Sequence, residues 1–197
     1  MSVGLTVARY PIAADGAVEL VVDEAHFRRV VLEGMLRARV SLDIATADFK
    51  AMLVPEPGRS GRSARSIVRI LADLAGRGVE VRLLHAGTPS GAALVELRRG
   101  MPAMPAGLCI RRCPRLHAKA VIIDCAAMYL GSANLTGAGL GAKADGRRNF
   151  EWGIWSQSPA LIDGVLEQFN ALWEGRRCAG CRRKDVCPVP LEEPDLA

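Results

Sequence analysis

Apolar residues recur along the chain with two different periods, and the changes between them lay out alternating helices and strands. From Glu24 to Met35 the apolar positions Phe27, Val30, Val31 and Met35, with Gly34 beside them, follow helical spacing with Arg and Glu between, which predicts an amphipathic helix. Val40–Ala45 alternates and predicts a short strand. The next stretch, Leu53 to Arg65, is broken by Pro55, Pro57, Gly58 and Gly61 and reads as a loop. Ser66 is placed to cap a helix over Ile67–Ala75 that ends at Gly76-Arg77-Gly78, and a second strand follows at Val79–Leu84. Strand, helix, strand in that order predicts a parallel pair with a right-handed crossover. Further on, Gly91–Arg98 reads as helix and prolines punctuate Met101–Ala106. Strands are predicted at Leu108–Arg112, Leu116–Ile123, Met128–Leu130 and Glu151–Trp155, and a last amphipathic helix at Leu161–Glu174. The fold class is α/β, a sandwich with a mixed central sheet flanked by helices.

At Arg176 the pattern stops. Residues 1–175 form the expected domain, and 176–197 a tail of cysteines, arginines and prolines. The chain has 197 residues, half of them hydrophobic, which suffices for one core. Lys and Arg exceed Asp and Glu by 26 to 21, a net +5 that suits a polyanionic partner. Arginines gather at Arg59 to Arg69, at Arg176-Arg177 and at Arg182-Arg183. Met1 to Tyr10 has no signal-like apolar region and no apolar run reaches a bilayer span, so no membrane role and a cytoplasmic location are expected. In that compartment the six cysteines predict metal or core roles instead of a disulfide framework.

The most informative segment is His117-x-Lys119-x4-Asp124, followed by Gly131-Ser132-x-Asn134. In a strand His117 and Lys119 leave one face together. A lone histidine there would ordinarily be a satisfied core residue, but a lysine beside it calls for an anion, because a buried unpaired ammonium is costly. Ser132 and Asn134 add a hydroxyl and an amide suited to phosphate oxygens.

These residues resemble the HKD signature of the phospholipase D superfamily, and the resemblance extends to Val40–Ala45, to Gly78–Arg82 and to Asn149-Phe150-Glu151, over roughly residues 20–175. It implies a two-step, metal-independent displacement at phosphorus. His117 is the implied nucleophile, forming a phosphohistidine, and a second histidine would protonate the leaving oxygen. The resemblance makes Lys119, Ser132 and Asn134 phosphate-binding residues and Glu151 the acid that orients the imidazole. Asp124 closes the signature at the strand's far end, where a structural role and a direct one are both open. Only one motif is present, and His26 and His85 lack a lysine partner, so a homodimer is expected to complete the site. Small single-motif relatives are nucleases, which implies a nucleic-acid partner, DNA or RNA. The alternatives are a phospholipase or phosphatidyltransferase, and a non-catalytic nucleic-acid-binding subunit working with partner proteins in a defence or repair system.

Cys178-x2-Cys181-x5-Cys187-Pro188 is the second informative element. Three thiols in an arginine-rich tail suit a metal that orders it. The spacing resembles the [4Fe–4S] loops of endonuclease III-type glycosylases and of some helicase-nucleases, which implies such a cluster, with Zn²⁺ as the alternative. Ala171 stands where the glycosylase pattern has its first cysteine. The fourth ligand is therefore expected from Cys113, with Cys109 as the alternative, while Cys125 reads as an ordinary buried cysteine.

Overall fold

The structure, a computed structural model, describes residues 18–55, 64–100, 105–183 and 185–187. Met1–Tyr10, the prolines and glycines from 57 to 61, Arg59, the stretch 101–104 and Pro188 with the tail beyond it lie outside the described residues.

Seven strands form one mixed sheet. In chain order they are β1 (Val18–Val22), β2 (Ser41–Thr46), β5 (Glu80–His85), β6 (Leu108–Arg112), β7 (Ala120–Ile123), β8 (Ala127–Gly131) and β9 (Trp152–Ser156). Their spatial order is β1-β9-β8-β7-β2-β5-β6. β2, β5 and β6 run parallel to one another, and β7, β8, β9 and β1 join antiparallel. The expected crossover from β2 to β5 is made by α1 (Ile67–Gly76), whose first turn is capped as expected: Ser66 Oγ accepts from the Arg69 N–H at 3.3 Å. Helices α2 (Gly91–Gly100) and α3 (Pro159–Trp173) complete the α/β architecture.

Strand alternation builds two cores. Leu42, Ile44, Val81, Leu83, Val121 and Ile123 point to one face and pack with α1 and α2. Their neighbours Ala45, Leu84, Ala120 and Ile122 point to the other, under Phe169, Trp173 and Ile162 of α3. Asp43 also lies on the α3 side, nearly fully buried, and takes Arg82 Nε at 2.5 Å. The Arg82 guanidinium lies over the Phe169 and Trp173 rings and donates to Asn170 Oδ1 at 3.0 Å, so this buried charge is paired on every side.

Four sequence expectations change. The segment Glu24–Met35 is helical but not a regular α-helix: Phe27–Leu32 is π-helical, with Glu33 N–H donating to Arg28 O at 2.9 Å, and Met35–Arg37 is a 3₁₀ turn. The wide turn delivers the adjacent Val30 and Val31 to the core together, and Gly34 ends it because a Cβ there would lie 2.5 Å from Val30 O and 2.9 Å from the Trp155 ring. The loop expected over 53–65 contains two short paired strands, β3 (Leu53–Pro55) and β4 (Ala64–Ser66). β1 was not anticipated at all. Finally, the strand expected from Leu116 begins only at Ala120, because β2 ends at Thr46 and β8 at Gly131, leaving residues 116–119 little ladder to join.

Candidate active site

The register collects the motif at one end of the sheet. Ala120 stands opposite Ala45 of β2 and Leu130 of β8. The next residues outward are Lys119, Thr46 and Gly131, and the Gly131 N–H donates to Lys119 O at 3.1 Å. On the far side of β8, Gly131 faces Gly153, which brings Ser132 beside Trp152 and Glu151. Ser132, Asn134 and Glu151 thus lie on the edge that carries Lys119.

Lys119 is buried to 8 % exposure and has no carboxylate partner among the described residues. Its Nζ donates to His117 O at 2.9 Å and lies 3.1 and 3.3 Å from the two imidazole nitrogens. His117 itself is exposed. An unpaired buried ammonium against an exposed imidazole is the pair that an anionic ligand would complete.

Glu151 is buried, and its two oxygens are engaged separately: Ser132 Oγ donates to one, and Asn149 Nδ2 to the other at 3.0 Å. Ser132 Oγ in turn accepts from the Trp152 N–H at 3.0 Å. Within one chain, Glu151 therefore orients Ser132 and Asn149, and its carboxylate forms no hydrogen bond with the His117 imidazole. Asn134 Oδ1 accepts from the Asp48 N–H at 3.0 Å and from Thr46 Oγ1 at 3.3 Å, which leaves the amide N–H groups for a ligand. Thr46 accepts the Leu135 N–H at 2.9 Å, holding the loop after the motif against β2. Thr46 was not singled out from the sequence, and Asn149 only as part of Asn149-Phe150-Glu151 with no role of its own; both position motif residues.

Asp124 does not join this group. It follows β7 at the opposite end, with φ +52°, and its carboxylate accepts the N–H groups of Arg39, Val40 and Ser41 at 2.7–3.1 Å. Burial opposes its ionisation, but these three N–H groups outweigh that and hold its pKa below the usual aspartate value. The last letter of the signature fastens the start of β2.

Beneath the site lies a second chain of bonds. His26 is fully buried, with Nδ1 at 2.8 Å from Asp23 O and Nε2 at 2.9 Å from Tyr129 Oη. A carbonyl only accepts, so Nδ1 carries the proton, Nε2 accepts from the tyrosine, and Tyr129 Oη accepts the Ala133 N–H at 3.1 Å. Burial lowers the His26 pKa and pushes Tyr129 up to about 12. This chain supports the Gly131–Asn134 loop from below. His85 is also fully buried, with Nδ1 donating to Gly87 O at 2.8 Å.

The cysteines divide clearly. Cys113, Cys178, Cys181 and Cys187 line one cavity of about 240 Å³, together with Leu116, His117 and Ala118. Burial raises the Cys178 thiol pKa, and the thiols of Cys113, Cys187 and Cys181 are close enough to push the same way. The Arg115 guanidinium, donating to Cys181, lowers that thiol. Cys109 is exposed on β6 with its thiol 3.9 Å from Ala106 O, so of the two remote candidates only Cys113 reaches the cavity. Cys125 is exposed in the turn after Asp124, not buried as expected, because the turn leaves its side chain outside both cores.

With this geometry in place, the comparisons decide the family. The family model described as cardiolipin synthase, PLD-like domain, matches residues 31–173. The chain belongs to the phospholipase D superfamily. A search of curated proteins found no match. Among solved structures, this phospholipase D-like chain is similar to the phospholipase D family member Nuc from Salmonella typhimurium, at 20 % identity and a TM-score of 0.58, covering 81 % of this chain and 95 % of that one. It is similar to NucT from Helicobacter pylori at 17 % identity and a TM-score of 0.59, covering 81 % and 97 %. It also resembles the phosphatidylserine synthase of Haemophilus influenzae, at 18 % identity and 0.52, but there it covers 79 % of this chain and only 38 % of the other. At these identities the likeness concerns the fold. No described helix is long and apolar enough to cross a membrane.

Proposed function

We propose that this chain is a metal-independent endonuclease that works as a homodimer on DNA or RNA through a phosphohistidine. The observation that carries the reading is the state of the three histidines. His117 is exposed beside Lys119, whereas His26 and His85 are both fully buried with Nδ1 committed to a backbone carbonyl. A chemistry that needs two histidines must then draw the second from another copy of the chain.

An exposed apolar surface beside the site supports this reading. Val22 pairs with Trp152, and Leu20 with Ile154, so these four share one face of the sheet. Leu20 and Trp152 are 69 % and 71 % exposed, an apolar stripe running to the edge that carries Glu151 and Ser132. In the reaction, a ring nitrogen of His117 attacks phosphorus and the phosphorus–oxygen bond to the leaving strand breaks. The leaving oxygen takes a proton from His117 of the partner subunit. Water, deprotonated by that same imidazole, then cleaves the phosphorus–nitrogen bond and frees His117. Lys119, Ser132 and Asn134 bind the phosphate oxygens, contacts that carry no base information, so cutting is sequence-independent.

The test is cleavage of plasmid and of single-stranded DNA and RNA in EDTA, with His117→Ala as control. Cleavage by the wild-type chain, lost in the variant, is the expected result. Salt-sensitive binding without cleavage would replace the enzyme by a binding subunit. Cleavage confined to lipid vesicles would replace the nuclease by a phospholipase.

A further inference from the structure

We infer that Cys113, Cys178, Cys181 and Cys187 hold a [4Fe–4S] cluster that ties the C-terminal tail to the segment bearing His117. The inference goes beyond the nuclease reading and does not need it.

Three observations carry it. First, the four thiols come from two remote parts of the chain, the turn after β6 and the tail after α3, yet line a single cavity of about 240 Å³. Cys109 and Cys125, the other two cysteines, are exposed and line no part of it. Second, the thiols surround space instead of meeting at a point. Among the described residues, no three Cys, His, Asp or Glu side chains stand where one metal ion could sit between them. A zinc ion binds its thiolates at about 2.3 Å from one shared centre. A cube of iron and sulfide bonds each thiolate at a different corner, so it holds them further apart around a volume of its own. Third, the cavity is positively charged. Arg115, Arg177 and Arg183 line it, and a cluster with four thiolates is an anion.

The consequence for the neighbouring site follows from the chain path. The Cys113 N–H donates to His85 O at 2.8 Å, and the Leu116 N–H donates to Cys113 O at 2.9 Å, making a tight turn. That turn leads directly into the irregular residues 116–119, which lack a strand ladder of their own. Cys113 is thus the anchor nearest to His117, and Leu116, His117 and Ala118 share the cavity wall with the tail cysteines. Loading the cluster fixes the Cys113 end of this segment to the tail; losing it frees the segment and the tail together.

The experiment is anaerobic purification of the full chain from iron-replete cells, with visible absorption and with iron, sulfide and zinc determined. A brown protein with about four irons and four sulfides per chain is expected. Cys113→Ser and Cys178→Ser should lose the colour, while Cys109→Ser and Cys125→Ser keep it. Colourless wild-type protein carrying zinc would overturn the cluster. So would metal-free wild-type protein lighter by a pair of hydrogens, which would mean a disulfide instead. The wild-type metal content decides this even where a cysteine variant fails to fold. Hydrogen exchange before and after chelation of the oxidised cluster tests the tie. Faster exchange in residues 113–119 and 176–183 is expected, with β2, β5 and α1 unchanged. Unchanged exchange in 113–119 would overturn it.

Discussion

Gly131 and Gly153 stand directly opposite each other on β8 and β9, and the Tyr129 side chain fills the space where both would carry a Cβ. An added Cβ at Gly131 would lie 2.3 Å from Tyr129 Oη, and one at Gly153 would lie 2.3 Å from Tyr129 Cε2. The tyrosine cannot move aside, because its hydroxyl is held between His26 and the Ala133 N–H. Gly153→Ala should therefore destabilise the chain by about 1–3 kcal/mol through overpacking. In a domain of this size that is a fall in Tm of roughly 2–12 °C, measurable by calorimetry. An unchanged Tm would mean the ring is free to shift.

Asp124 is a prediction about stability and not about chemistry. Asp124→Asn can keep the oxygen that accepts the Val40 and Ser41 N–H groups, but loses the charge and the second acceptor oxygen, which takes the Arg39 N–H. The expected cost is about 1–2 kcal/mol, at the lower part of the range for charge-assisted bonds because the carboxylate is only partly buried. Denaturant midpoints should fall, and per-molecule cleavage by the folded protein should stay close to wild type. A loss of cleavage with unchanged stability would return Asp124 to the chemistry.

Much of this was legible in the sequence, and the misses have physical causes. The β2–α1–β5 crossover and the Ser66 cap are local patterns and came through. The gathering of Lys119, Ser132 and Asn134 at one edge of the sheet was legible too, since Lys119 to Asn134 span one hairpin and its flanks. The β1 strand was missed because its alternation points the wrong way: Val18, Leu20 and Val22 face outward while Val21 is buried. After the π-helical turn Gly34 lies too close to Trp155 to carry a Cβ, an approach between distant parts of the chain that no local period records. Cysteine spacing marked the tail, but which remote cysteine shares its cavity depends on how α3 returns the chain to the end of β6. The engagement of Glu151 by Ser132 and Asn149, in place of His117, is likewise a matter of register.

The two buried histidines make stability depend on pH with a definite sign. Burial is the main cause that lowers the pKa of both His26 and His85, the latter with help from Arg112. A histidine with a folded pKa below its usual 6.5 is neutral in the fold while the unfolded chain takes up a proton. Its contribution is fully present above pH 6.5 and is lost as the pH falls towards the folded value. Asp124, also lowered, adds a further loss below its ordinary value of 3.8. Tm should thus be level above neutrality and fall from about pH 6.5 downwards. A His85→Gln variant should show a shallower slope below pH 6.5. Equal slopes in the two proteins would show that His85 does not sense this range.

Trp152 offers the most direct test of the two-copy site. It is 71 % exposed on the strand that follows Glu151, so replacing it removes apolar surface that the isolated chain does not bury. Surface changes of this kind usually alter folding stability by no more than about 0.5 kcal/mol. If the stripe of Leu20, Val22 and Trp152 seats a second copy, Trp152→Ser should weaken association while leaving thermal unfolding of the chain nearly unchanged. Sedimentation should then show monomer at concentrations where the wild type is a dimer. Cleavage should fall in the same concentration range and recover as the protein is concentrated, since His117 and Lys119 are untouched. Two results would remove the stripe from the interface: an unaltered dimer, or a monomer that cleaves as well as wild type at every dilution. The second would go further, because a competent monomer leaves no role for His117 of the partner subunit.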